Sequence, residues 1–385
     1  MSEGVDAAII GGGILGLCTA LELARAGKRV TLVEQEALAG GTTGHSFAWI
    51  NATAKRDDRD YHALNAAGMV RYVDIARDFG DRAIGLEGSG SLHWTHPAGP
   101  GGVAGIRHAA DVLEGWGYPL ARLDRTGLQA LEPHLAFPGG AEGFLALADR
   151  WIDARRFAHR LASEIADLGG SVRAPCSVTG FLRNRQREIA GIETDRGPIP
   201  AATVVIAAGV ATARLAALAA GLLLRLPLRA VPGLLVDVPT GPARWVNHVI
   251  YLPDAGGLHV RPTGDGGLTI GADDIDAALA GRSDADFGQA PAQALERLAT
   301  FIPDLPLRDL VAPATVRLGV RPMASDDRPI AGPLPGVAGV YLLATHSGIT
   351  LGPLLGQLAA REIVSGEPAA LLAPYRPSRF TVVSP

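Results

Sequence analysis

Lysine is nearly missing from this 385-residue chain: of 35 basic Lys and Arg side chains only Lys28 and Lys55 are lysine, and arginine carries the rest. Cysteine is almost as scarce. Cys18 and Cys176 stand alone, with no C-x-x-C and no metal-ligand spacing, which argues against a disulfide framework or a zinc site and suits a reducing cytoplasm. No metal is expected. Net charge is −4, so no basic field is available to attract nucleic acid or acidic lipid. There is no transmembrane run either: Ala211–Leu226, an apolar stretch, is broken by Arg214, Gly221 and Arg225. The apolar start from Ala7 to Leu23 is crowded with glycines and lacks a basic flank and a cleavage signal. It reads as strand, turn and helix rather than a signal peptide. These absences together point to a cytoplasmic protein.

What the chain has in quantity is apolar residues (48%) and glycine (49 residues), with only 19% charged. That composition predicts well-buried α/β structure, and the length allows two domains. Ala7–Ile10 is suited to a strand buried on both faces. Gly11, Gly13 and Gly16 then fit G-x-G-x-x-G: the first permits a tight turn, the second lets backbone approach a pyrophosphate, and the third lets the helix pack on the strand. Apolar residues at helical spacing run from Ile14 to Ala26 and stop at Gly27. Val30–Val33 is a second strand ended by Glu34, where a carboxylate can accept ribose hydroxyls and disfavours a 2′-phosphate. The small-residue turn Ala39–Ser46 follows directly, with amides and hydroxyls suited to a phosphate.

Downstream, the spacing predicts helices over 59–79, 123–133, 152–168, 289–301 and 351–365. Strands are expected at 91–95, 171–174, 177–182, 189–194, 203–209 and 340–344, with an antiparallel sheet over 226–271. A second glycine-bounded turn, Gly319–Met323, precedes Asp327–Gly332 and His346–Pro353. The expected fold is α/β: a Rossmann-like FAD-binding domain with a second domain on a mostly antiparallel β-sheet. The division is discontinuous, with 1–88, 140–215 and 315–385 binding the cofactor and 89–139 and 216–314 holding substrate.

On Gly11–Glu34, Trp151–Ala154, Val204–Gly209, Leu258–Asp273, Gly319–Pro322, Asp326–Gly332 and His346–Pro353, the chain resembles the D-amino-acid oxidase-like flavoproteins over nearly its whole length. The resemblance implies FAD held by Gly11, Gly13, Ile14, Leu15, Gly16, Glu34, Gln35, Thr42, Thr43, Gly44, His45, Ser46, Val178, Ala208, Gly209, Gly348, Ile349 and Thr350. It also implies oxidation of the C–N bond of an amino acid, or N-substituted amino acid, by hydride transfer to flavin N5, giving an imine that hydrolyses. Arg321 in Gly-x-Arg-Pro then clamps the carboxylate of an amine substrate, as a planar guanidinium can do bidentately. The alternative for Arg321 is a structural ion pair with Asp326 or Asp327. His259 orients substrate or accepts its proton, or is satisfied within the sheet; His346 contacts ring or substrate. Tyr251 and Trp245 are candidates for the pocket wall. Two departures from sarcosine oxidases stand out. No cysteine lies near Gly319–Met323, so FAD is expected to be non-covalent. Thr269 replaces a lysine that helps activate oxygen, so the electron acceptor is oxygen or another carrier. A 2-hydroxy acid dehydrogenase and a non-catalytic flavoprotein subunit remain as alternatives.

Overall fold

A computed structural model of the protein describes residues 4–221, 225–241, 243–252, 255–279 and 287–380. Residues 242 and 253–254 of the expected 226–271 sheet lie outside the described set. One sheet has the strand order Val178–Arg183, Ile189–Thr194, Ile199–Ile206, Val5–Ile10, Val30–Val33, Ser171–Arg173, with Val340–Ala344 also paired to Ile199–Ile206 and Ile330–Pro333 beyond it. Its centre is parallel. Helices cover it, which explains why Ala7–Ile10 is apolar without alternation.

Two of those helices, Ile14–Arg25 and Gly348–Ser365, pack at close range. A Cβ on Gly356 would lie 2.7 Å from Cys18 Cβ, and one on Gly352 would lie 2.8 Å from Ile14 Cγ1. Only glycine permits that approach. It brings the two helix N-termini, Gly13–Leu15 and Gly348–Ile349, onto one cleft. The helices share a core with Leu64, Tyr72 and Phe157.

The second sheet runs Thr315–Ala324, Leu228–Val238, Leu268–Ala272, Leu258–Pro262, Val249–Leu252, Ser91–Thr95, Glu142–Ala146, Leu120–Leu123. All its pairs are antiparallel except Val249–Leu252 with Ser91–Thr95. One face carries a separate apolar core around Trp94, Val236, Ile250, Ile270 and Leu295. The other faces the cofactor side. A small sheet of Trp49–Ile50, Arg150–Ile152 and Leu86–Glu87 joins the two.

The α/β expectation is met, and helix 59–79 and strands 91–95, 189–194 and 340–344 fall where the pattern put them. Three expectations differ. Gly319–Met323 is not a turn but the middle of the ten-residue strand Thr315–Ala324. Gly319 is needed there because a Cβ would sit 2.9 Å from His45 O. The division at 140 and 315 cuts across the second sheet, which takes Glu142–Ala146 and all of Thr315–Ala324 from segments assigned to the cofactor unit. Pairing across the sheet, a long-range property, decides membership. Helix Gly102–Gly115 was not foreseen, since its glycine-rich start reads as a loop.

Candidate active site and cofactor cleft

A cleft open to solvent begins at the glycine turn and ends at Pro322, Thr345, His346, Gly348 and Ile349. At the first end Gly11 has φ +117°, and a Cβ there would lie 2.4 Å from Ala207 O. Glu34 is pinned at its strand end by Gly12 N (2.7 Å to Oε2) and Glu36 N (3.0 Å to Oε1). The helix after the turn has no capping side chain on its N-cap Gly13. Instead Thr43 Oγ1 accepts from Ile14 N at 3.0 Å, tying the turn Thr42–His45 to the helix start. That turn is also clamped from the second sheet: Thr42 Oγ1 donates to Val320 O, and Arg317 Nη1 donates to Gly44 O at 3.0 Å. At the far end, helix Gly348–Ser365 likewise begins without a side-chain cap. Two helix N-termini without a side chain on the N-cap itself, the first with Ile14 N engaged by Thr43, therefore face one cleft with partial positive charge.

Beside that far end the second sheet presents a row of rings. Cross-strand register places His259 opposite Tyr251, Tyr251 opposite His93, and His93 opposite Phe144. The segment after the turn Thr42–His45 packs onto them: Phe47 meets His259 edge-on at 4.6 Å, and Trp49 lies 5.7 Å from His93 and 6.2 Å from Tyr251. His259 Nδ1 is 2.8 Å from Gly257 O; a carbonyl only accepts, so Nδ1 donates, and in the neutral ring Nε2 is the acceptor. Its ring lies over Gly271, where a Cβ would come within 2.4 Å of Nε2.

Charged groups converge on the same place. Arg321 Nη2 donates to Asp276 Oδ2 (2.8 Å) and Pro232 O (2.9 Å), while its buried Nε has no partner among the described residues. Asp276 also accepts from Leu234 N at 2.7 Å, and burial raises its pKa above the ordinary value. Lys55 Nζ is 3.3 Å from His346 Nε2 and 5.3 Å from the Tyr61 ring centre. Desolvation, then the charge of Arg321, lowers the Lys55 pKa to about 8. Desolvation, Lys55 and Arg321 lower His346 to about 3, so its imidazole is neutral. Tyr61 OH donates to Ser347 Oγ at 2.8 Å and is pushed up to about 12, chiefly by burial.

Behind the ring row lies a buried acid. Asp149 accepts from Trp49 Nε1 (3.0 Å), Thr53 Oγ1 (3.2 Å), Ser91 Oγ (2.6 Å) and Tyr118 OH. Ser91 spends its one proton on Asp149, so the 2.9 Å contact with His93 Nε2 is donated by the imidazole. Burial still lifts Asp149 to about 6 and drops His93 to about 3. The network joins the segment after the turn Thr42–His45 to the second sheet.

A family model described as FAD dependent oxidoreductase matches residues 6–362. The chain belongs to the FAD-dependent oxidoreductase family. As a member, it is an enzyme with FAD as its cofactor. It is 26% identical to a glycine oxidase of Geobacillus kaustophilus over 98% of each chain, and 26% identical to a D-amino acid dehydrogenase of Cereibacter sphaeroides over 92% of this chain and 89% of that protein. The crystal structure of glycine oxidase from Geobacillus kaustophilus superposes with a TM-score of 0.83, covering 98% of this chain and 99% of that one at 25% identity.

The cleft of this FAD-dependent oxidoreductase fits the cofactor. Gly11 can carry no Cβ, Glu34 closes the second strand, and the two uncapped helix N-termini suit a pyrophosphate at one site and the electron-rich edge of the ring at the other. Of the residues expected to bind it, Gly11, Gly13, Ile14, Leu15, Glu34, Gln35, Thr42, Thr43, Ser46, Val178, Ala208, Gly209, Gly348 and Ile349 line the cleft, as does His346. Gly16, Gly44, His45 and Thr350 stand behind its lining. A Cβ on Gly16 would meet Gly11 O at 2.0 Å, and one on Gly44 would meet Ala39 O at 2.2 Å. His45 is bonded to Gly41 O, and Thr350 Oγ1 donates to Trp49 O. The ion pair of Arg321 is with Asp276; Asp326 pairs with Arg379 and Asp327 with Arg229. Trp245 packs on His134 beside the second core. Thr269 donates to Asp237 Oδ1 at 2.8 Å. Sequence reasoning missed Lys55, Phe47, Trp49, Tyr61, His93, Asp149 and Asp276. The rarity of lysine was the one signal available, and it was not linked to the site. No helix among the described residues is long and apolar enough to cross a membrane.

Proposed function

We propose that the enzyme oxidises the C–N bond of an amino acid or N-substituted amino acid, giving an imine that hydrolyses to an oxo-acid and an amine or ammonia. FAD, held non-covalently by Gly11, Gly13–Leu15, Glu34, Thr42, Thr43, Ser46, Gly348 and Ile349, supplies the two-electron oxidant. The observation that carries the reading is Arg321, whose charge is felt at the cleft-lining His346 and whose buried Nε has no partner among the described residues. Arg321 takes the substrate carboxylate. Phe47, Trp49, Tyr251 and His259 exclude water around the α-carbon and amine. His259 Nε2, an acceptor in this tautomer, takes a proton from the substrate ammonium. The names of the relatives, a glycine oxidase and a D-amino acid dehydrogenase, support an amino-acid substrate. The two unpaired cysteines, both buried, support a cytoplasmic setting. With Thr269 engaged by Asp237, no lysine stands on that strand, so reoxidation uses oxygen or another carrier.

The test is anaerobic mixing of holoenzyme with D-, L- and N-methyl amino acids and matched 2-hydroxy acids. Bleaching of the visible flavin band by amino acids alone is expected. Reduction by hydroxy acids only, or by neither, would overturn the reading. Repeating the mixing with oxygen and with a dye acceptor identifies the acceptor class.

A further inference from the structure

We propose that Lys55, set against the cleft-lining His346, is the second arm of the substrate carboxylate clamp beside Arg321. This rests on the reading of Arg321 above. Lys55 ends the 3-10 turn Thr53–Lys55, which follows the strand packed against the ring row. Its ammonium touches an imidazole nitrogen and the face of a phenol ring, both weak substitutes for an anion. Among the described residues no carboxylate lies within ion-pair distance of it. The acids whose charge reaches it, Asp327 and Asp273, are engaged elsewhere, by Arg229 and by Tyr251 OH.

Arg321, by contrast, is already matched by Asp276, so its charge alone exerts a reduced pull on an arriving anion. Lys55 carries a positive charge without an ion pair among the described residues, and Arg56, whose charge reaches His93 and Tyr251 in the ring row, adds to it. A desolvated ammonium without a counter-ion is unfavourable, and a carboxylate delivered between two cations relieves it. Both cations are felt at the neutral, cleft-lining His346, and Lys55 touches it at 3.3 Å. Arg321 offers the directional donor, Nε, and Lys55 supplies the net charge.

The groups facing Lys55 are His346, Tyr61, Arg321, Asp327 and Asp273. His346 stays neutral and Tyr61 stays protonated at neutral to mildly alkaline pH. Lys55 is charged below about 8 and loses its proton above it, so anion affinity should weaken as pH rises through that value.

The experiment titrates FAD-loaded enzyme with acetate, reading perturbation of the flavin spectrum and, independently, the heat of binding. Lys55→Met is expected to weaken acetate by about tenfold or more and to flatten the fall in affinity above neutral pH. Lys55→Arg should restore most of the affinity, without the fall near 8. Flavin content and melting temperature of both variants check that the fold is intact. If Lys55→Met fails to fold, Lys55→Arg decides: an alkaline fall in acetate affinity persisting in that variant would overturn the inference. So would an unchanged acetate affinity in Lys55→Met. Should amino acids fail to reduce the wild-type flavin, the oxidation reading falls while the acetate titration still reports on Lys55. If amino acids reduce the flavin and Lys55→Met binds acetate normally, only Lys55 is misassigned.

Discussion

Removing Arg321 tests the substrate reading, but its effect has to be separated from the effect on Asp276. In Arg321→Ala the substrate loses one charge-assisted hydrogen bond, about 2 kcal/mol, which is roughly 30-fold in kcat/KM. The same change leaves Asp276 with Leu234 N as its remaining donor. An orphaned, mostly buried carboxylate costs on the order of 2 kcal/mol more and would displace helix Asp273–Leu279 from the chamber. Both effects lower activity, so the single variant does not discriminate. Asp276→Asn keeps the hydrogen bond to Leu234 N without the charge. If Arg321 binds the carboxylate, Arg321→Ala/Asp276→Asn stays about 30-fold impaired or worse, although its melting temperature recovers. Anaerobic stopped-flow reduction against substrate concentration gives the limiting rate and apparent Kd for each of the four enzymes. Recovery of near wild-type reduction in the double variant would refute the clamp and leave Arg321 as a neutraliser of Asp276.

Other perturbations have equally definite outcomes. Gly11→Ala places a Cβ against Ala207 O in a backbone conformation that alanine rarely adopts, so the protein should purify without FAD and melt earlier; normal flavin content would contradict the role of that turn. Thr43→Val removes the acceptor for Ile14 N and should cost about 1 kcal/mol of stability and weaken FAD, read by melting and by flavin titration of apoenzyme. Asp149 has a folded pKa of about 6 against an ordinary 3.8; the folded state holds the proton more tightly, so its contribution is full below about 4 and is lost as pH rises through about 6. The loss is about 3 kcal/mol, and Asp149→Asn should flatten stability over that interval in pH-dependent melts. Asp149→Ala, which strands the donors of Trp49, Thr53, Ser91 and Tyr118, should instead destabilise at every pH.

Local chemistry was enough to read the first half of the cleft. Gly11, Gly13, Glu34 and the turn at Thr42–Ser46 follow one another along a single strand, turn, helix, strand and turn unit, whose order alone is informative, although Ala207 O and Val320 O also constrain them. The start of the last helix was legible for the same reason, although it begins at Gly348 rather than Leu351. The chamber beside it was not legible. His259, Tyr251 and His93 become one row only through strand register, and Gly319–Met323 becomes strand only by pairing with Leu228–Val238. Arg321 could be named from its motif, but its partner Asp276 is 45 positions away and was not predictable from spacing.

Lysine marks the division most clearly. Its near absence from the chain is plain in the sequence, and so is the missing lysine at Thr269. That one of the two lysines present, Lys55, lies against His346, 291 positions distant, is a product of tertiary packing alone. Local sequence determined a cofactor turn, because that turn is built from consecutive backbone. The folded chain decided which charges meet the substrate, because they come from segments brought together only when both sheets close on the cleft.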